Sequence, residues 1–138
     1  MDALVLVQKI ESLRRCIRRV EEKSPSHLQD LFKDADLQDI LVLNLTRAVQ
    51  LCVDIGSHII SQANETAPGT MGEVFSALER MSIISAETSE SMKKAVGFRN
   101  VAVHNYDAIN WEIVFAICRK SVPEFRQFVS DISAFAKI

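Results

Sequence analysis

The chain has few residues that interrupt helices. Its 138 residues include only four glycines and three prolines, and no segment alternates apolar and polar residues as a strand does. Glycine and proline are the strongest local signals for turns and breaks. Their scarcity predicts a small number of long helices and no β-sheet.

The chain also lacks the residue patterns of common metal and phosphate sites. Cys16, Cys52 and Cys118 are far apart and odd in number, which disfavours disulfides and structural zinc. None of the ten glutamates begins a Glu-x-x-His sequence, so the di-iron ligand set of helical bundles is excluded. The stretch 69–72 lacks the lysine and hydroxyl residue of a phosphate-binding loop. We therefore expect no metal, no cofactor and, if the chain hydrolyses a substrate, metal-independent chemistry.

A strong basic excess is missing as well. The formal net charge is −2 and the isoelectric point is about 5.9, whereas nucleic-acid-binding domains are usually basic. If RNA is the substrate, a local patch must attract it. The candidates are the arginines at 14, 15, 18 and 19, and the lysines 93 and 94 running to Arg99. Each can instead be a solvated helix face, and this alternative is favoured for the first cluster.

No targeting or membrane segment is evident. The apolar run 4–7 is too short for a signal peptide and Lys9 interrupts it, and no apolar run approaches about 18 residues. The sequence therefore predicts a cytoplasmic protein that does not span a membrane.

Apolar residues recur at helical spacing along nearly the whole chain, which predicts one antiparallel helical bundle over residues 1–138 with four to five main helices. The predicted helices are 2–23, a short one at 27–33, 37–62, 71–81, one from 85 to the end of the segment described below, and 110–136. Pro25 ends the first helix, and Pro123 predicts a kink or break in the last.

The helix predicted at 37–62 is apolar around much of its circumference, which indicates that it is deeply buried or shared with a partner. Its polar stripe includes Arg47, Asp54 and His58. Asp54 and His58 stand four residues apart and can pair on one helix face. Two interpretations remain open: these residues form the second wall of a catalytic cleft, or they form a satisfied ion pair.

The segment 99–106, Arg-Asn-Val-Ala-Val-His-Asn-Tyr, carries the densest chemistry in the chain. Arg99 can hold a phosphate with two hydrogen bonds and stabilise growing charge on its oxygens, and His104 can move a proton near neutral pH. Asn100 can bind a phosphate or orient His104. The alternative is structural: Arg99 and His104 are cations near a helix C-terminus, where positive charge is favoured. Likewise, Asn100 can be a surface amide and Tyr106 a buried phenol that anchors the helix end.

Metal-independent cleavage of RNA uses the ribose 2′-hydroxyl as the nucleophile, with a base to take its proton and an acid to protonate the leaving oxygen. One histidine cannot easily do both. Arg99 and His104 also lie about 140° apart on an ideal helix, so they converge poorly unless the helix ends near His104. A symmetric dimer brings two copies of both residues to one cleft, so we expect a homodimer.

The string Val-Gly-Phe-Arg-Asn-Val-Ala-Val-His-Asn-Tyr at 96–106 resembles the HEPN superfamily, and more narrowly the HepT ribonucleases of HepT–MntA toxin–antitoxin pairs. The shared motif is R-x4-H-x-Y, at Arg99, His104 and Tyr106. Asp54 to Ile60 on the earlier helix adds to the resemblance. It implies a dimeric helical bundle that acts as a ribonuclease toxin on RNA.

The resemblance also implies control by a partner. In that family a minimal nucleotidyltransferase, the MntA-like antitoxin, transfers AMP to the motif tyrosine. ATP and Mg²⁺ then belong to the partner, and Tyr106 is the expected acceptor. The other functional class is a non-catalytic helical subunit that binds a nucleotidyltransferase and keeps the motif only for contact.

Overall fold

Helices form nearly all of the protein in the computed structural model, which describes residues 3–138. The helices are α1 (Ala3–Lys23), α2 (Leu28–Phe32), α3 (Ala35–Ser61), α4 (Met71–Arg80), α5 (Ala86–His104) and α6 (Trp111–Ala136), with a 3₁₀ turn at Tyr106–Ala108 between the last two. No strand occurs in the described range. The predicted all-α bundle with five main helices and one short helix is confirmed. Asp2, the expected start of the first helix, lies outside the described residues.

Side-chain caps begin the helices near the predicted positions. Asp34 accepts a hydrogen bond from the backbone N–H of Leu37 at the start of α3. Ser85 does the same for Thr88 at the start of α5. Such caps satisfy backbone donors that a helix end leaves unpaired. They therefore define where α3 and α5 begin.

The central helix is α3, which contacts α1, α2, α4, α5 and α6. The apolar residues that widen its surface are mostly covered by this chain itself, since Val49, Val53 and Ile60 are buried. The exceptions are Ile40, which is half-buried, and Leu43, which is 48% exposed. Deep burial within the chain, rather than a shared surface, therefore explains most of the apolar excess of α3.

Gly56 lets α4 approach α3 closely. A Cβ atom at this position would lie 2.5 Å from Cγ1 of Val74 and 3.0 Å from Cδ1 of Leu78. All three residues are buried. Because real Cβ atoms do not come that close to neighbours, α4 packs here only against a residue without a side chain.

Of the kink or break predicted at Pro123, the break is wrong, because α6 continues from Trp111 to Ala136 with Pro123 inside it, close to the predicted helix 110–136. Proline removes one backbone donor, so the helix loses one hydrogen bond at this point. The ring is exposed, while Val122 and Phe125 on either side are buried in the core. Burial of these neighbours keeps the helix in place despite the lost bond.

The length and apolar composition of α3 alone would also fit a membrane span, the one such helix among residues 3–138. Half of its most apolar stretch is buried inside the bundle. A core helix of a helical bundle meets the same criterion, so the observation is weak support for a span. The sequence contains no uninterrupted apolar run of about 18 residues, because polar residues are interspersed along α3. Its mean hydropathy over such a length is nevertheless high.

Candidate catalytic site at the end of helix α5

The helix α5 ends at His104. A helix end near this residue is needed if Arg99 and His104 are to converge. Asn105 leaves the helical region with φ −151° and ψ 74°, and its N–H bonds the carbonyl of Val101 at 2.8 Å. The chain then makes a 3₁₀ turn that begins at Tyr106. The last turn of α5 and the following turn therefore present Arg99, His104 and Tyr106 at one end of the helix.

Arg99 points toward α3. Its Nη2 donates a hydrogen bond to Oε1 of Gln50 at 3.3 Å, and its Nη1 donates to Oδ1 of Asn100 at 3.3 Å. The side chain is half-buried, with no acidic partner among the described residues. A guanidinium held by neutral amides keeps its full charge available for an anion.

Gln50 in turn donates from Nε2 to Oδ1 of Asp54 at 2.9 Å. The predicted Asp54–His58 pair is therefore wrong: Asp54 bonds the residue one turn before it, and Nε2 of His58 is buried without a hydrogen-bond partner. Arg99, on α5, donates to the side-chain oxygen of Gln50. The amide nitrogen of Gln50 is then left to donate to Asp54, so Asp54 bonds Gln50 rather than His58. His58 lies about 12 Å along α3 from Gln50, on the side away from His104. Of the proposed cleft wall, Asp54 is joined to Arg99 through Gln50, whereas His58 is not.

Arg47, the third residue of the proposed wall, lies on the side of α3 that faces α1. It lines a surface groove together with Arg15 and Arg19 of α1 and with Gln50 and Asp54. Arg47 has no ion pair or hydrogen bond within residues 3–138, whereas Arg19 pairs with Glu22 at 3.2 Å. The groove is therefore cationic and reaches the Arg99 site through Gln50.

His104 is exposed at the end of α5. Its Cα is five residues from that of Arg99, which corresponds to about 7.5 Å along the helix and about 140° around it. Arg99 is directed to α3, so the imidazole leaves the helix on a different side. The two side chains therefore border an open surface rather than meeting in one pocket of a single chain.

Tyr106 contacts α3 as well. Its hydroxyl donates to Oδ1 of Asp39 at 2.5 Å, and its ring packs edge-on against Trp111 with centroids 6.1 Å apart. Partial burial, together with this hydrogen bond and the Asp39 charge, raises the pKa of Tyr106 to about 12. Tyr106 is still 40% exposed, so it is anchored but not enclosed, contrary to the alternative of a buried phenol.

A cavity of about 560 Å³ lies on the other side of α5, against α6. Its walls are mostly apolar and include Phe98, Val101, Ile109 and Ile113. Arg99, His104 and Tyr106 are not among its lining residues. The candidate site is thus an exposed surface at the end of α5, separate from this cavity.

Within residues 3–138, no three His, Cys, Asp or Glu side chains cluster as a metal site would require. The three cysteines are buried and free. Burial raises the pKa of each thiol. The three cysteines are therefore part of the core.

Known proteins resemble this chain over nearly its whole length. The family model described as Ribonuclease HepT-like matches residues 13–132. The mRNA nuclease HepT of Shewanella oneidensis is 35% identical over 131 residues, covering 94% of this chain and 97% of the relative. The chain belongs to the HepT-like ribonuclease family. The predicted family, and with it the predicted HEPN-like fold, is confirmed.

Two further relatives agree. The tRNA nuclease HepT of Aphanizomenon flos-aquae is 23% identical over 135 residues, covering 98% of this chain and 92% of that protein. The solved structure of the tri-AMPylated Shewanella oneidensis HEPN toxin, in complex with the MNT antitoxin, superimposes with a TM-score of 0.89. It is 33% identical and covers 97% of this chain and 99% of that one.

Two residues at this HepT-like site were missed from the sequence. They are Gln50, which contacts Arg99, and Asp39, which contacts Tyr106. They contact the motif across 49 and 67 residues of chain. A single sequence contains no local signal for contacts of that range, because they depend on how α3 and α5 pack.

Proposed function

We propose that this HepT-like protein is a toxin that cleaves RNA without a metal ion through Arg99 and His104. The observation that carries the proposal is the end of α5: Arg99 is held uncompensated beside α3, and His104 is exposed where the helix ends. Both lie in a chain that matches HepT nucleases over most of its length. Membership of a ribonuclease family favours catalysis over a purely structural motif.

The chemistry assigns a separate role to each group. Arg99 binds the scissile phosphate and stabilises the charge that grows on its oxygens as the 2′-hydroxyl attacks. His104 takes or gives the proton, and a second His104 from another copy does the complementary task. Asn100, hydrogen-bonded to Arg99, holds the guanidinium in position or contacts the phosphate itself.

A second copy fits the apolar residues around the motif. Val103 is 52% exposed and Leu43 is 48% exposed. Val103 is one turn from Arg99 on α5, and Leu43 is two turns from Gln50 on α3, toward the Tyr106 end. We propose that a second copy covers these two side chains at the edge of the arginine groove, which Leu43 also lines, and so brings the two His104 residues to one cleft.

The groove lined by Arg15, Arg19 and Arg47 provides local positive charge in a chain of net charge −2. We propose that this groove binds the RNA phosphates that flank the cleaved bond. Each lost phosphate contact should lower the slope of log affinity against log salt by about 0.7 for single-stranded RNA. RNA binding by the Arg15→Ala, Arg47→Ala double variant at several salt concentrations tests this; an unchanged slope would mean that these arginines are only a solvated face.

Control by a nucleotidyltransferase completes the proposal. The Shewanella oneidensis HEPN toxin is tri-AMPylated in its complex with the MNT antitoxin, and we propose the same kind of modification at Tyr106. ATP and Mg²⁺ belong to that partner. An AMP on Tyr106 would add bulk and negative charge two residues from His104, at that end of the site, and so repel RNA phosphates.

The competing function is a helical subunit that binds a nucleotidyltransferase without catalysis. Purified wild-type protein and His104→Ala, each incubated with RNA and EDTA, separate the two. Cleavage by the wild type alone supports the toxin ribonuclease. Intact RNA in both samples supports the binding subunit.

A further inference from the structure

The hydrogen bond between Tyr106 and Asp39 joins the 3₁₀ turn to α3. The Tyr106 hydroxyl donates to Oδ1 of Asp39 at 2.5 Å, although the residues are 67 positions apart. Within residues 3–138, Asp39 has no ion pair and no other hydrogen bond. Its carboxylate is therefore not neutralised by a cation and is directed at the phenol alone.

The phenol needs such a partner in order to react. With a pKa of about 12, Tyr106 keeps its proton at neutral pH. A protonated hydroxyl is a weak nucleophile, and enzymes activate it with an adjacent base within hydrogen-bond reach. Asp39 is the one base that meets this geometric condition among the described residues.

The ring is also held in a fixed orientation. Trp111 packs edge-on against it, and Asp39 fixes the hydroxyl, while 40% of the residue remains open to solvent. A nucleophile that is oriented, exposed and already bonded to a base is arranged to attack a substrate that a second protein presents. A bond that merely anchored the turn would not require an unpaired carboxylate.

We propose that Asp39 is the proton acceptor when Tyr106 receives AMP, so that the toxin supplies the base for its own modification. This inference rests on the proposed function. The Tyr106 oxygen attacks the α-phosphorus of ATP held by the nucleotidyltransferase. A new oxygen–phosphorus bond forms, the bond from the α-phosphorus to pyrophosphate breaks, pyrophosphate leaves, and the phenol proton passes to Asp39.

The test measures the rate of AMP incorporation with the MNT antitoxin of Shewanella oneidensis, ATP and Mg²⁺. Asp39→Asn keeps the size and a hydrogen-bond acceptor but removes the base, so its rate should fall by about 10²–10⁴. Asp36→Asn is the matched control, because it removes an exposed acid one turn earlier on α3 and should leave the rate unchanged. Thermal melting of each variant checks that the bundle is intact.

The pH profile separates a base from an anchor. In Asp39→Asn the reacting species must be the phenolate, so the rate should rise about tenfold per pH unit, whereas the wild-type rate should change far less. Asp39→Glu keeps a carboxylate and should retain most of the rate. A similar loss in Asp39→Glu and Asp39→Asn, with flat profiles in both, would show that Asp39 only anchors the turn.

The outcomes also distinguish this inference from the proposed function. If Asp39→Asn is modified as fast as the wild type at every pH, Asp39 is not the acceptor, while AMP control of Tyr106 stands. If the wild type itself gains no AMP on Tyr106, the proposed control fails and the role of Asp39 fails with it. Mass spectrometry of the peptide that contains Tyr106 measures the added AMP in the wild type and in Asp39→Asn.

Discussion

Nη2 of Arg99 lies 3.3 Å from Oε1 of Gln50, and this hydrogen bond joins the R-x4-H-x-Y motif on α5 to the central helix. Gln50 is itself fixed by Asp54, one turn further along α3. The three side chains form a row that holds the guanidinium on one side of the candidate site. If Arg99 binds the scissile phosphate as proposed, we expect Gln50 to be a positioning residue that acts through Arg99 rather than on RNA.

Replacing Gln50 by Ala should therefore lower kcat by about 10- to 100-fold, since a displaced catalytic group loses alignment with the reacting atoms. The matched control is Gln127→Ala, which removes the same glutamine-to-aspartate bond, to Asp131 at 2.9 Å, on the exposed face of α6. Single-turnover cleavage of RNA measures both. Equal rates for the two variants would show that Gln50 does not position Arg99.

Gly56→Ala should destabilise the bundle by about 1–3 kcal/mol, because the added Cβ would overlap Val74 on α4. Gly97→Ala is the matched control, since a Cβ there meets nothing within 4 Å. It should instead stabilise α5 by about 0.5–1 kcal/mol, the usual gain of Ala over Gly in a helix. Urea unfolding measures both changes, and a neutral Gly56→Ala would contradict the close α3–α4 contact.

The raised pKa of Tyr106 makes stability fall at high pH. The unfolded phenol ionises near pH 10, whereas the folded one holds its proton until about pH 12. Its contribution is therefore complete below about pH 10 and is lost as the pH rises to about 12. Because Tyr106 is the only tyrosine, Tyr106→Phe should show a smaller loss of unfolding free energy between about pH 9 and 11. Identical losses in both proteins would mean that the phenol is not perturbed.

Light scattering on the purified chain should give about twice its mass of 15.5 kDa. The Leu43→Asp, Val103→Asp double variant should be a monomer and should lose cleavage, because charges at a dimer contact cannot be buried unpaired. Val7→Asp, at another exposed apolar residue on α1, is the control and should remain a dimer. A wild-type monomer over a wide concentration range would contradict the shared cleft.

The sequence contained enough to predict the helices and the position of the motif at a helix end. Those features depend on local signals: apolar periodicity, Pro25 after α1, the Ser85 cap, and the position of His104 near the next turn. The contacts of the motif were not predictable in the same way. The choice of Gln50 over His58 as the partner of Asp54 follows from Arg99, which comes from another helix.

The contact of Asp39 with Tyr106 was equally unpredictable from the sequence. It is one acid among several near the start of α3, and nothing in its neighbours distinguishes it from Asp36. Only the antiparallel packing of α3 against α5 brings it to Tyr106. Pro123 is the opposite case, in which a strong local signal for a break was overruled by burial of the residues beside it.

The measurement that tests the account most directly is cleavage of an RNA oligonucleotide in EDTA, before and after the 2′-hydroxyl at the mapped cut is replaced by hydrogen. The wild type should cut the all-ribose strand and leave the substituted position intact. Arg99→Ala should cleave about 10²–10³ more slowly and His104→Ala about 10²–10⁴ more slowly. Arg126→Ala, which removes an exposed ion pair with Glu21 on the bundle surface, should cleave normally. Cleavage that needs Mg²⁺, that ignores the missing 2′-hydroxyl, or that survives both motif substitutions would contradict the proposed mechanism.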